Sequence, residues 1–443
     1  MSRSTATPPR GSTVNLAMTS SVAAGVEWYD FFVYGTAAAL VFPRIFFSPD
    51  LTPLVAQLAA FSTFAVGFIA RPLGGVVFGH FGDLHGRKAT LVVALLIMGV
   101  STLLVGLLPT YATAGVWAPL MLILLRFAQG FAVGGQWGAA ALIAIENAPE
   151  GKRGLFGSFV QIGVPAGVIL ANVAFILSDG LMDRAAFEAW GWRIPFLLSV
   201  VVVGLALFVH TRIQESREFI AAAAQRAPAA PGLAARRSPI LQVIVSSWRR
   251  ILLAGGAFIA SNACFYVIIT WVISYGTAEL GLSRELMLGG VMFGSLCMIP
   301  ALILVAAASD RFGRYGLFRL GCLTTGLWAF AFFPLLEAGT PMGVGAAIAV
   351  GLCCVAMMYG PQAALFAELF STEVRYSGAS LGYQVGVLLG GGFAPMIATA
   401  LFAASGESLT VAAYMAATCL VSLICVSWLH AHRRADALAA ATP

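Results

Sequence analysis

Four charged residues lie well inside long apolar runs, away from their ends: Glu27, Asp30, Arg71 and Arg126. A charge in hydrocarbon is costly, so each is a functional candidate by default. Glu27, Asp30, Phe31 and Tyr34 stand at i, i+3, i+4 and i+7, which puts them on one helical face. Arg126, Gln129, Val133 and Gln136 share a face by the same count. A carboxyl in such a place is pulled two ways: burial favours its neutral form, a neighbouring guanidinium its charged form. That competition is what a proton-carrying site requires. Helical rise places Asp30 and Arg71 each about 12 Å from the same end of their spans, so the two can pair. A static ion pair joining two helices is the plainer reading of the same residues. Arg126 lies nearer the midplane. Its fork can hold a carboxylate through two parallel hydrogen bonds; a structural role towards backbone carbonyls or an acid is the alternative.

The second half of the chain offers polar groups in place of charges: Asn262, Tyr266, Thr270, Ser274, Tyr359, Gln362, Tyr383 and Gln384. Asn262, Tyr266, Thr270 and Ser274 recur every four residues and form one stripe. A polar stripe on a membrane helix faces a wet cavity or another helix. Gln161 opens a run in the first half as Gln384 does in the second, and both count, with Tyr34, Gln129, Gln136 and Arg71, among the candidate substrate ligands. Gly390, Gly391, Gly392 and Pro395 mark either a deformable segment or a close helix contact. The loop from Gly79 to Lys88 has the spacing G-x-x-x-D-x-x-G-R-K. Gly79 permits close helix approach, Gly86 a tight turn, and Asp83 and Arg87 supply charged bonds at helix ends. Asp310, Arg311 and Arg314 repeat part of that pattern. Such charges can form a latch that breaks when two halves rock; a solvated turn is the plainer alternative.

These residues need elements to hold them. Of the 443 residues 60% are hydrophobic and 10% charged, with mean hydropathy +0.90. Soluble domains carry roughly 25% charged residues, so lipid is the solvent that suits this composition. Apolar runs of spanning length are predicted at 22–42, 55–79, 88–109, 117–145, 155–178 and 192–211, then at 250–276, 286–308, 316–338, 342–369, 377–404 and 409–430. The runs are continuous, without alternation, which favours helices over a barrel. The expected fold is all-α: twelve transmembrane helices in two six-helix halves.

With the N-terminus in the cytoplasm, 19 Lys and Arg fall on the inside and four (Arg44, Arg184, Arg193 and Arg284) on the outside. That bias predicts both termini in the cytoplasm. The expected divisions are a tail at 1–20, a half at 21–211, a cytoplasmic linker at 212–249, a half at 250–430 and a tail at 431–443. No cleavable signal peptide is expected after the first apolar run. The halves repeat. Gly82-Asp83-x-x-Gly86-Arg87 returns as Ser309-Asp310-Arg311-x-Gly313-Arg314, and Arg153, Ser158, Gln161 and Gly163 return as Arg375, Ser380, Gln384 and Gly386. Duplicated halves with a midplane site between them are a known transporter plan.

On these residues the chain resembles the major facilitator superfamily. Within it the chain is similar to the metabolite–proton symporters, the family of shikimate, dicarboxylate, citrate and proline/betaine carriers. The motifs that carry this are Glu27-Trp28-Tyr29-Asp30-Phe31, Arg71-Pro72-Leu73-Gly74-Gly75, Arg126-Phe127-Ala128-Gln129-Gly130, Gly134-Gly135-Gln136-Trp137-Gly138, Tyr359-Gly360-Pro361-Gln362-Ala363 and Arg375-Tyr376-Ser377-Gly378. The resemblance covers about residues 20 to 430. It implies proton-coupled uptake of a small organic acid by alternating access, in the inner membrane of a bacterium. It departs at Gln136, where the family usually has Glu. Gln carries no proton, so coupling rests on Asp30 or Glu27, or is altered.

Several classes are disfavoured. The chain has no H-E-x-x-H, no phosphate-binding loop and no metal set, and its seven cysteines form no C-x-x-C pattern. No enzyme activity, cofactor, metal or nucleic-acid partner is expected. The expected partners are a carboxylate solute, protons and the bilayer, and the chain is expected to act as a monomer. The competing readings are an efflux antiporter, an uncoupled facilitator or exchanger, and a membrane sensor, which the short tails and the lack of a C-terminal coiled coil disfavour. The particular acid is not legible.

Overall fold

A computed structural model describes residues 25, 28–85, 87–134, 145, 148–149, 151–212, 239–370 and 375–441. Of these, the helix backbone alone is described at 79–80, 82–85, 87–91, 206, 209–212, 239–247, 375–377 and 434–441. Glu27, Gly86, Gln136 and most of the expected linker, at 213–238, lie outside the described residues.

The described chain is helical throughout, with no strand among the described residues. In order, α1 covers 28–40, α2 Pro53–His85, α3 Arg87–Leu107, α4 Trp117–Val133, α5 Arg153–Gly180 and α6 Ser199–Arg212. Then α7 runs from Pro239–Tyr266 through a π-turn at Val267–Trp271 to Val272–Ala278. Helix α8 is Arg284–Phe312, α9 Arg314–Glu337 and α10 Pro341–Leu369. Helix α11 joins Arg375–Gly386, a second π-turn at Val387–Gly392 and Ala394–Ser405, and α12 is Ser408–Ala441.

Among the described residues, eight helices are long and apolar enough to cross a membrane, and shorter apolar helices lie at Val92–Leu107, Trp117–Val133 and Gly191–Leu205. The ends follow local chemistry. Ser283 caps α8 by accepting from the Leu286 amide, and Thr340 caps α10 by accepting from the Gly343 amide. Gly313, at φ 91°, turns the chain between α8 and α9 in one residue. Leu124, Leu177, Leu304 and Leu327 point outward, the surface that lipid covers.

Packing puts α7 at the centre, with 83% of its most apolar window buried. In the first half α2 packs on α4, and α4 on α3; in the second, α7 packs on α11 and α12. Two seams join the halves: α5 runs against α8 and α10, and α2 against α11. Glycines let α2 and α4 approach backbone to backbone. A Cβ on Gly130 would collide with the Gly67 carbonyl, one on Gly74 with that of Phe131, and one on Gly134 with that of Arg71. This seam carries both buried arginines.

Candidate functional site

Arg71 and Arg126 converge on one ring. The Phe31 centroid lies 4.4 Å from the Arg71 guanidinium carbon and 4.1 Å from that of Arg126. Phe68 at 4.7 Å and Trp28 at 5.5 Å complete the surroundings of Arg71. Tyr34 at 4.2 Å and Phe64 at 4.8 Å complete those of Arg126. Tyr266 reaches in from α7, edge-on to Phe68 at 5.2 Å and to Phe64 at 5.7 Å. Gly67 makes the room: a Cβ there would stand 2.6 Å from Arg126 Nε.

The cage holds the cations but leaves their donors open. Both arginines are fully buried. Arg126 donates from Nη1 to Gln129 Oε1 at 3.2 Å. Its Nε and Nη2, and all three nitrogens of Arg71, have no hydrogen-bond partner among the described residues. The Tyr266 hydroxyl lies beside Arg71 without hydrogen-bond geometry. Buried cations with open donors can take an anion with two or more acceptor oxygens.

The pairing of Asp30 with Arg71 expected from depth is not what the structure shows. The two form no ion pair or hydrogen bond. The Asp30 carboxyl lies beside the Thr102 hydroxyl of α3, and neither of its oxygens has a partner of good geometry. Sequence spacing sets depth along a helix, but one residue turns it by about 100°. That step separates Asp30, facing α3, from Phe31, facing the arginines. Thr102 donates to the Met98 carbonyl at 2.9 Å and accepts from Gln129 Nε2 at 2.9 Å. Gln129 therefore bridges Arg126 and Thr102.

The second half supplies a narrow cleft against this cage. Trp28, Val164, Ser261, Asn262, Phe265, Tyr266, Val355, Tyr359 and Tyr383 line it, with room for about one water between its walls. Asn262 donates to the Phe258 carbonyl at 3.0 Å. Gln362 accepts from Ser261 at 3.4 Å, while its Nε2 is unpartnered among the described residues. Thr270 is buried in the π-turn of α7. Tyr34 spends its hydroxyl proton on Thr63 at 2.7 Å and faces Arg126 with its ring. Two expected ligands tie the halves together instead: Gln161 donates to the Tyr359 carbonyl at 3.3 Å and Gln384 to the Gly134 carbonyl at 2.8 Å.

Contacts close the seam between α5 and α8 at both ends. At the end predicted to face the cytoplasm, Asp310 accepts from the backbone amides of Gly154 at 2.8 Å and Leu155 at 3.0 Å, capping α5. Asp310 also pairs with Arg314 at 3.0 Å. Arg314 pairs with Glu368, and Glu368 with Arg433 at 2.7 Å. Arg311, expected in this latch, is exposed, lies over the Phe312 ring and forms no ion pair among the described residues. For Gly79, Asp83 and Arg87 only the helix backbone is described.

At the opposite end Arg284 of α8 meets Asp179 and Glu188 of the first half, each at 3.5 Å. Glu188 also binds Arg44 at 2.8 Å and Arg184 at 3.3 Å. Burial would raise the Glu188 carboxyl, but bonds from Arg184 and Arg44 outweigh it and hold it below 4.5. Sequence reasoning missed this cluster, because acids at loop ends look like ordinary surface. It also missed Phe64, Phe68, Gly67 and Thr102, none of which stands out in an apolar run, and it placed Phe31 on the charged face of its helix without giving it a role.

A family model for the Major Facilitator Superfamily matches residues 21–383. The inner membrane metabolite transport protein YhjE of Escherichia coli K12 is 41% identical over 435 residues, covering 96% of each chain. The shikimate transporter of the same strain is 41% identical over 412 residues, covering 92% of each. The glycine betaine/proline/ectoine/pipecolic acid transporter OusA of Dickeya dadantii is 33% identical, covering 90% of this chain and 79% of its own. Among solved structures, a D-xylose–proton symporter superposes with TM-score 0.73 at 17% identity over 94% of this chain and 97% of its own. That likeness is one of fold.

Proposed function

The chain belongs to the Major Facilitator Superfamily, and on that premise we propose that it takes up a small carboxylate-bearing metabolite together with a proton. It is a multi-pass membrane transporter with the fold of that superfamily. The observation that carries the finer reading is the pair of buried guanidiniums around Phe31. An unpaired buried charge costs several kcal/mol, and a cation–π contact offsets about 0.5–2 kcal/mol of it. A carboxylate set against Arg126, with Arg71 beside it, offsets the rest and occupies the open donors.

In this reading Asn262, Tyr266, Tyr359 and Tyr383 take the body of the solute across the cleft, with Gln129 and Gln362 behind them. Asp30 carries the proton, with Glu27 the other acid of the 22–42 run. The halves at 21–211 and 250–430, joined by 212–249, rock about this site. The contacts of Asp310 and of Arg284 open in alternation. The protein works as a monomer in a bacterial inner membrane with both termini in the cytoplasm. A second reading, exchange or facilitated passage without protons, is favoured by one observation: Asp30 makes no hydrogen bond or ion pair with either arginine.

Counterflow in proteoliposomes tests this. The panel is shikimate-like acids, oxo-dicarboxylates, tricarboxylates and aromatic acids, with pH gradient and potential set separately. A carboxylic acid should exchange, and an inward proton gradient should drive its accumulation. Arg126→Lys keeps the charge but loses the fork, and should weaken binding about tenfold or more. A lysine variant that binds every transported acid like the parent removes Arg126 as the anchor. Parent transport indifferent to the pH gradient leaves exchange as the description.

A further inference from the structure

We propose that Gln129 and Thr102 form a positioning relay that couples the anion-binding guanidinium of Arg126 to the carboxyl of Asp30. The inference rests on the reading of Arg126 as anchor and Asp30 as proton carrier. It supplies what that reading lacks, a connection between them.

The path consists of two hydrogen bonds and one close approach of side chains. Arg126 Nη1 donates to Gln129 Oε1 at 3.2 Å, and Gln129 Nε2 donates to Thr102 Oγ at 2.9 Å. The Asp30 carboxyl lies beside that hydroxyl. All four residues are buried, so water does not compete with these bonds. Other groups around Asp30 are committed elsewhere. The Tyr29 hydroxyl donates to the Pro195 carbonyl at 2.7 Å. Arg71 of α2 is directed at Phe31, Phe68 and Trp28. Glu27 and Gln136 lie outside the described residues.

A threonine hydroxyl has one proton and two lone pairs. Here the proton goes to the Met98 carbonyl at 2.9 Å, and one lone pair accepts from Gln129. The other lone pair suits a protonated Asp30, which can donate to it. An ionised Asp30 needs the reverse: the Thr102 proton must leave Met98 and turn to the carboxylate. That rotation moves the oxygen's lone pairs and disturbs the bond from Gln129, which in turn orients Arg126. From the other side, an anion on the open Nε and Nη2 draws the guanidinium off Gln129, whose bond to it is the longer of the two. Each event biases the other, and the bias is reciprocal. The relay passes orientation rather than a proton, since an amide does not titrate.

The test measures affinity against pH for the full-length transporter in detergent, from mildly acidic to neutral, with radiolabelled shikimate and 2-oxoglutarate as probes. Thr102→Val removes the hydroxyl at similar shape, and Thr102→Ser keeps it. The parent's affinity should change with pH. Thr102→Val should flatten that change by roughly fivefold to tenfold, the worth of one buried hydrogen bond, and Thr102→Ser should restore it. Should Thr102→Val not fold, Gln129→Asn decides, because the shorter amide cannot span Arg126 and Thr102. A valine or asparagine variant with the parent's pH profile overturns the relay while leaving the transport reading intact. A parent that binds or exchanges a probe with a flat profile rejects the proton part of that reading and the relay with it. A parent that binds neither probe, nor any acid of the counterflow panel, at any pH rejects the carboxylate anchor on which both rest.

Discussion

The Asp310 carboxylate of α8 accepts a hydrogen bond from the Gly154 amide of α5 at 2.8 Å, so one half of the molecule caps a helix of the other. The first turn of a helix leaves amide donors open, and a carboxylate there is favoured by the helix dipole. Gly154 leaves no space for a side chain: a Cβ would stand 2.7 Å from the Ala306 carbonyl. Loss of a cap costs about 0.5–2 kcal/mol. Asp310→Ala should therefore shift the closed population at this end by roughly tenfold, and spin-label distances between the ends of α5 and α8 should lengthen. Unchanged distances would show that the packing of α5 on α8 holds the seam without the cap.

The room that Gly67 leaves for Arg126 gives a second expectation. Gly67→Ala puts a methyl 2.6 Å from Nε, and overpacking of this kind costs about 1–3 kcal/mol. Affinity for the transported acid should fall roughly fivefold or more, because the fork is displaced. Gly204→Ala is the control, since nothing lies within 4 Å of a Cβ there. Radioligand binding on both variants checks this. Equal affinities would mean that Arg126 tolerates displacement, against a role as anchor.

The fold was legible because its signals are one-dimensional. An apolar run is long enough to span or it is not, and loop charge is counted along the chain. The buried arginines were legible for a related reason: a charge inside such a run needs explaining. The partner of Asp30 was not. Depth follows from residue number, but the direction a side chain faces depends on how α1 leans on α2 and α3. The Phe31 cage was hidden because an aromatic residue in an apolar segment looks like filler. Polarity marks Gln161 and Gln384 as candidate ligands in the sequence. Polarity alone does not separate a ligand from a tie between halves, and both donate to backbone carbonyls across the seam.

The cluster around Glu188 should respond to acid. Its carboxyl is held below the ordinary 4.5 by Arg184 and Arg44 against the opposing effect of burial. A depressed folded pKa gives a contribution that is present above the unfolded value and lost as pH falls through the folded one. The Arg284 end should thus stay tied near neutrality and loosen only in acid, below the ordinary range of a glutamate carboxyl. Glu188→Gln should be looser at neutral pH and indifferent to acid, apart from what Asp179 still supplies to Arg284. Labelling of a cysteine introduced near Arg284 by an impermeant reagent, measured against pH, reads this. Identical profiles for parent and variant would place the acid response elsewhere.

Asp30→Asn addresses coupling itself. The asparagine keeps the size of the carboxyl and can bond to Thr102, but it cannot exchange a proton. If Asp30 carries the proton, the variant should lose accumulation driven by an inward proton gradient. Exchange of labelled for unlabelled acid needs no net proton movement and should survive in part. The contrast is informative because Asp30 makes no ion pair in the described structure, so its neutralisation removes no salt bridge that holds α1 to its neighbours. Arg126 keeps its bond to Gln129 in the variant, and binding of the acid should persist with a flattened pH dependence. Proteoliposome uptake, with pH gradient and potential imposed separately, gives both readouts on one preparation. A variant that still concentrates acid against a pH gradient would move the proton site to Glu27 or out of the first half. One that loses exchange as completely as uptake would make Asp30 a structural residue of the α1–α3 contact.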